Sequence, residues 1–282
     1  AITLDGTGYG TDGNIWGGEI LLCTREDFER KAHLSYIRMP GGDAAVLEPW
    51  RMAASVLYEA FGRDFVNLNI PYIKEMDEQK LAFVIQMMEK DLNCPLTSSC
   101  GRLFDAVASL LCICHTISHE SQAAMELEAL AHERVSNDGF ADEPYDFSLI
   151  QNNKDGVAAP FKIDMSPCIH GIVEELKNGV ALEKISTGFH DTIVLAFAKA
   201  ARNLGQESRI QKIVLSGGVF NNDRILNHMI TKLEHDGFRV YTHSKVPTGD
   251  GGISLGQAVV AGHPRKIIQL HPGLCSIPNY IY

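Results

Sequence analysis

The stretch Leu4-Asp5-Gly6-Thr7-Gly8-Tyr9-Gly10-Thr11-Asp12-Gly13 constrains this chain more than any other segment. It follows the apolar run Ile2-Thr3-Leu4, and four glycines and two aspartates fall within its last nine residues. Glycine reaches positive φ without penalty and lets a ligand approach the main chain closely. A strand that delivers an aspartate into such a turn reads as a nucleotide or metal–phosphate loop. Its place at the very start of the chain predicts that part of the site lies upstream of Ala1.

Two further glycine turns follow strands. Lys212-Ile213-Val214-Leu215 reads as a buried strand that runs into Ser216-Gly217-Gly218 and then a helix through Leu233. Phe238-Arg239-Val240-Tyr241 reads as another strand, leading to Asp250-Gly251-Gly252 and a final helix over 258–261. Successive backbone N–H groups ahead of a helix favour an anion. Carboxylates in such turns suit Mg²⁺ beside phosphates, and with added histidine they suit zinc or iron. Each turn also has a plainer reading: a tight turn at Gly217-Gly218, an N-cap at Asp250, an Asx-turn at Asp5. The case for a ligand is that all three occur at strand ends in one chain. Asp105, in Gly101-Arg102-Leu103-Phe104-Asp105, reads either as an acceptor for a ribose hydroxyl or as a first-turn carboxylate favoured by the helix dipole. His33, His115, His119, His170 and His190 read as structural or surface residues.

The remaining residues set the class. Strand–glycine–helix units alternate with helical stretches, so the chain reads as α/β. The sheet and its glycine loops are expected over 1–48 and 205–257, a mainly helical insertion over 49–204, and a C-terminal helix and tail over 258–282. Residues 1–24 read as a β-hairpin, and 50–60, 81–91, 104–114, 121–135 and 180–203 as helices; 144–164 reads as loop with short strands. The net charge of −10 argues against nucleic-acid binding, and no apolar run nears the roughly 20 residues that span a bilayer. Seven cysteines form no compact framework, which points to reduced thiols in a cytoplasm; Cys112 and Cys114 read as core rather than metal ligands.

Longer motifs are more specific. Asp5-Gly6-Thr7-Gly8-Tyr9-Gly10, Trp16-Gly17-Gly18-Glu19, Pro40-Gly41-Gly42-Asp43-Ala44 and Glu48-Pro49-Trp50-Arg51-Met52-Ala53 come first. Thr97 to Ala108, Gln122 to Glu128, Phe189-His190-Asp191-Thr192, Leu215 to Phe220 and Asp250 to Gln257 follow in order. Together they resemble the C-terminal domain of the HypF hydrogenase-maturation carbamoyltransferases, over essentially the whole chain. Two places depart from the pattern. Gly249 stands where asparagine usually precedes Asp-Gly-Gly, and Ser118-His119-Glu120-Ser121-Gln122 replaces a more usual Tyr-Glu-Gly-Gln.

The resemblance implies an actin/Hsp70/sugar-kinase-like (ribonuclease H-like) lobe. It implies transfer of a carbamoyl group from carbamoyl-adenylate to the C-terminal cysteine of a HypE-like partner. The adenylate is made from carbamoyl phosphate and ATP at a YrdC-like domain that this chain lacks. By the same resemblance Asp5 and Asp250 are metal ligands, joined by two histidines expected just upstream of residue 1. Gly6, Thr7, Gly8, Ser216, Gly217 and Gly218 face phosphate, Gly101 and Asp105 lie at the nucleotide, and Asn222 is near it. ATP or AMP and Mg²⁺, zinc or iron are the expected cofactors; no nucleic acid and no membrane is expected as a partner. The alternatives at this stage are a small-molecule O-carbamoyltransferase of the same fold, a kinase-type phosphotransferase and a non-catalytic nucleotide-binding fragment.

Overall fold

The computed structural model describes residues 1–132, 144–151 and 161–262. The tail expected beyond 262, Cys275 included, lies outside these residues, as do 133–135 of the helix expected over 121–135.

The opening hairpin forms as expected. Strand β1 (Ile2–Tyr9) pairs antiparallel with β2 (Ile15–Cys23), which pairs antiparallel with β3 (Phe28–Leu34). Asp5 to Gly8 is not the turn, however. The strand runs on to Tyr9, its register with β2 shifts between Leu4 and Gly8, and the reversal falls at Gly10–Asn14. A bulge of this kind unpairs a few residues and re-aims them while the strand continues. Short β4 (Ile37–Arg38) leads to α1 (Ala44–Leu47) and α2 (Pro49–Phe61). Pro49 opens α2 with its φ preset, and Gly62 at φ 66° ends it, as the sequence predicts. Helices α3 (Pro71–Glu75) and α4 (Glu78–Glu89) come next, then β5 (Leu96–Thr97), α5 (Cys100–Leu110) and α6 (Gln122–His132). After β6 (Ser148–Gln151) and β7 (Phe161–Asp164) lie α7 (Ser166–Lys177) and α8 (Leu182–Ser208). The chain closes with β8 (Lys212–Ser216), α9 (Asp223–His235), β9 (Arg239–Tyr241) and α10 (Ile253–Gly262).

Among the described residues nine strands join one mixed sheet, ordered β6-β7-β3-β2-β1-β8-β9, with β5 on β2 and β4 on β5. The segment 49–204 is mainly helical, and the short strands expected within 144–164 are β6 and β7. It supplies β5, β6 and β7 to the sheet, and its helix α5 buries every residue from Cys100 to Leu110 between β1 and α2. Strand β8 alternates buried Ile213 and Leu215 with exposed neighbours, so one of its faces is wet. The final helix starts at Ile253 rather than 258, and none of its residues is buried.

Helix α5 ends in a Schellman motif. Ile113 donates to Ala108 O at 3.0 Å and Cys112 donates to Ser109 O at 2.9 Å. Cys112 fills the left-handed seat at φ 58°, a position that costs a side-chain-bearing residue about 1–2 kcal/mol relative to glycine. Cys112 and Cys114 thus lie beyond the helix, half-buried and buried, and all six described cysteines are free thiols.

Candidate functional site

Strand β8 runs parallel to β1 and pairs with it only at Ile2–Leu215 and Thr3–Ser216. Beyond that point β8 ends and gives way to Gly217-Gly218, while β1 keeps Leu4 paired with Gly18 of β2 and enters its bulge at Asp5. Ligands of open α/β sheets bind at the carboxyl ends of strands. Gly217 takes φ 108° and ψ 156°, and a Cβ there would lie 2.1 Å from the Leu4 carbonyl oxygen. Only glycine lets the chain leaving β8 touch β1 at Leu4. The third segment docks on the second: Gly217 N–H donates to Thr248 O at 2.9 Å, and Thr248 Oγ1 donates to Gly217 O at 3.0 Å. Gly249 packs against Gly218, and a Cβ on Gly218 would lie 3.2 Å from Asp5 Oδ1. The three glycine segments therefore meet.

The residues at this junction divide into two groups. Asp5 is half-buried, while Thr7 and Asp250 are exposed. Asp5 Oδ1 accepts from Gly6 N–H at 2.7 Å. Asp250 begins a 3-10 turn, Asp250–Gly252, whose cap position is Gly249, so the plain N-cap reading fails there. The other group is committed to the fold. Gly101 brings the start of α5 against Gly6, where a Cβ would meet the Gly6 Cα at 2.8 Å. Asn222 is buried, caps α9 by accepting from Ile225 N–H at 2.9 Å, and bonds through its amide nitrogen to His190 Nε2 at 3.1 Å. Asp105 is buried and ion-paired with Arg102 at 2.9 Å, so a ribose hydroxyl would have to compete with a guanidinium. Burial pushes the Asp105 carboxyl up to about 6, against the pull of Arg102.

Three supports were not legible as site residues. Ser99 Oγ contacts both Asp5 O (2.8 Å) and Gly6 O (2.6 Å) while accepting from Arg102 N–H at 3.1 Å, clipping the β1 bulge to the start of α5. His243 Nε2 lies 3.1 Å from Ser216 Oγ. Beneath the hairpin, Arg30 bonds Glu19 and Ser98 at 2.9 Å each and lies over the Trp16 ring at 4.0 Å. The signal for Ser99 was its N-cap position ahead of an apolar helical run. Nothing local marks the other two. A cavity of about 540 Å³ opens on another face, lined by Ile2, Lys31, Ala201, Ile213 and Phe238, and includes none of the glycine loops.

The comparisons decide the family. A family model described as the carbamoyltransferase Kae1-like domain, second subdomain, matches residues 1–257. This chain belongs to the HypF carbamoyltransferase family. It is 36% identical over 92% of its length to the "Probable carbamoyltransferase HypF" of Methanocaldococcus jannaschii, covering 32% of that protein. It is 34% identical over 92% of its length to a HypF carbamoyltransferase of Rhodobacter capsulatus, again covering 32% of that protein. Among solved structures, full-length HypF in its phosphate- and nucleotide-bound form superposes with a TM-score of 0.82. Identity there is 38%, with 92% of this chain and 38% of that one covered. The chain thus spans about a third of the length of these curated relatives.

The two departures from the HypF pattern differ in consequence. Gly249 has an extended backbone (φ −93°, ψ −150°), so nothing there demands glycine. Ser121 sits at φ 62°, the left-handed region, where the family pattern has glycine. Ser121→Gly should therefore raise stability by about 0.5–1 kcal/mol, the left-handed penalty less glycine's extra unfolded entropy. Urea denaturation checks it; a lower midpoint overturns the assignment. No helix among the described residues is long and apolar enough to cross a membrane.

Proposed function

We propose that this chain carries the carbamoyl-transfer half-site of a HypF enzyme. The donor is carbamoyl-adenylate, made from carbamoyl phosphate and ATP at a YrdC-like domain of the full-length protein. The acceptor is the C-terminal cysteine of a HypE-like partner. Its thiolate attacks the carbamoyl carbon, the bond from that carbon to the phosphate oxygen breaks, and AMP leaves with the electron pair. The observation that carries this reading is the meeting of Asp5, Gly217-Gly218 and Thr248-Asp250 at one sheet edge in a chain of this family. The fold reading, an actin/Hsp70/sugar-kinase-like lobe, rests on three antiparallel strands β3-β2-β1 continued by β8 parallel to β1 and β9 parallel to β8.

The residues suggest distinct tasks. Gly6 and Gly217 already spend their amides on Asp5 Oδ1 and Thr248 O, so they shape the edge more than they bind. Asp5 beside Gly218 would repel a phosphate unless a cation lies between them. Asp5 and Asp250 are the groups that would hold that cation, as Mg²⁺, zinc or iron. They are hard oxygen donors and suit it, but among the described residues they belong to no cluster of three ligating side chains. Bound there, the ion would neutralise charge developing on the leaving phosphate. A mixed anhydride is destroyed by water, so a covered edge is part of the requirement.

In the full-length protein, Asp250→Ala should cut carbamoyl transfer to the partner cysteine by roughly 10²-fold or more while adenylate formation continues. Transfer at the wild-type rate would overturn the reading. The thermal midpoint of the variant is measured beside the two half-reactions, because a transfer domain that misfolds on its own would also lose transfer alone.

A further inference from the structure

A second cluster of ligating groups lies at the far end of α5, away from the glycine loops. Glu75 closes α3, and Cys112 and His115 follow α5; one ligand atom from each lies within 4.8 Å of the others. His115 Nε2 is 3.2 Å from Glu75 Oε2. We propose that Glu75, Cys112 and His115 form a site for a zinc-class divalent cation, with three protein ligands and one position open to water.

The imidazole is held as a metal ligand would be. Its Nδ1 lies 2.8 Å from Ser109 Oγ, which leaves Nε2 to face Glu75. Metal-bound histidines are oriented in this way by a partner on the other ring nitrogen. The backbone is fixed as well: His115 O accepts from Trp50 N–H at 3.3 Å, and Trp50 O accepts from the Tyr72 hydroxyl at 2.8 Å. Tyr72 is on the same short helix as Glu75, so both arms of the cluster are anchored to one point.

Chemistry selects the ion. A thiolate, an imidazole and a carboxylate form a mixed S/N/O set that suits zinc, whereas Mg²⁺ and Ca²⁺ prefer oxygen alone. The cluster is accessible, since Glu75 is exposed and the other two are half-buried. A cysteine also holds the left-handed seat at φ 58° that the helix end would give to glycine. In the sequence the signal is Cys112-Ile113-Cys114-His115, where the useful pair is Cys112 and His115 rather than the two cysteines.

The test uses Co²⁺ as a spectroscopic substitute for zinc on the 282-residue chain, first stripped with a chelator. Wild type should develop a thiolate-to-cobalt charge-transfer band that saturates at one equivalent and is displaced by Zn²⁺. Cys112→Gly suits the backbone and should fold, yet show no band. Glu75→Gln and His115→Ala should weaken binding about tenfold or more, and His119→Ala, whose ring is outside the cluster, should leave it unchanged. Zn²⁺ should raise the thermal midpoint of wild type but not of Cys112→Gly. No band in wild type, or a band that persists in Cys112→Gly, would overturn the proposal.

Discussion

Gly217→Ala should destabilise the protein by about 3–5 kcal/mol and abolish transfer in the full-length enzyme. The backbone at Gly217 lies at φ 108° and ψ 156°, a region that side chains avoid at a cost of about 1–3 kcal/mol. The new methyl would also overlap the Leu4 carbonyl oxygen, 2.1 Å away, and that oxygen belongs to a strand that cannot shift alone. Forcing extra volume into a packed site adds about 1–3 kcal/mol. Gly218→Ala makes the contrast. Its methyl would meet only the Asp5 carboxylate, at 3.2 Å, and a side chain can turn aside. That variant should keep its stability within about 1 kcal/mol and lose activity by disturbing Asp5. Denaturant midpoints for the pair check the argument; equal losses of stability would refute it.

Asp105→Ala should cost about 3–5 kcal/mol, because it removes the oxygen that the buried Arg102 Nη2 bonds at 2.9 Å. Arg102 Nε and Nη1 are already without partners among the described residues, so the remaining bond to an Asp105 oxygen matters more. Asp105→Asn keeps the shape and an acceptor and should cost far less. The pH dependence distinguishes charge from shape. Burial raises the folded-state value of Asp105 to about 6, from an unfolded value near 3.8. Between those values the native state binds a proton that the unfolded chain does not, so this group adds stability as pH falls through about 6. The gain is on the order of 2–3 kcal/mol and complete below about pH 4. The gap between wild type and Asp105→Ala should widen over that interval, measured by denaturation at fixed pH values. A gap that narrows toward acid would contradict the assignment.

Much of this was written in local sequence. The hairpin, the α2 start at Pro49 and stop at Gly62, and the strand before Ser216 follow from period, proline and glycine, which act over a few residues. The glycines that permit three close approaches were visible for the same reason. The motifs also marked the family, over residues that the comparisons then matched. What could not be read was how far each feature extended. Asp5-Gly6-Thr7-Gly8 has the composition of a turn yet remains strand, because β2 pairs on both sides of the bulge. The short strands expected within 144–164 are β6 and β7, but the helical-looking part of 49–204 hides β5, which is two residues long and owes its form to strands distant in sequence.

The sequence by itself marked Asp5, Gly217-Gly218 and Asp250 as candidates, placed Gly217-Gly218 directly after a strand, and allowed Gly217 a conformation closed to other residues. Only the tertiary structure decided that these segments touch, that Asp250 is not spent as a cap, and that Gly101, Asp105 and Asn222 serve packing, pairing and capping. It likewise brought Glu75 to Cys112 and His115 across the α3–α5 corner. The physical reason is range. Backbone conformation and amphipathic period are set by neighbours along the chain. Which polar group meets which is set by the burial of α5 between the sheet and α2, a property of the whole fold.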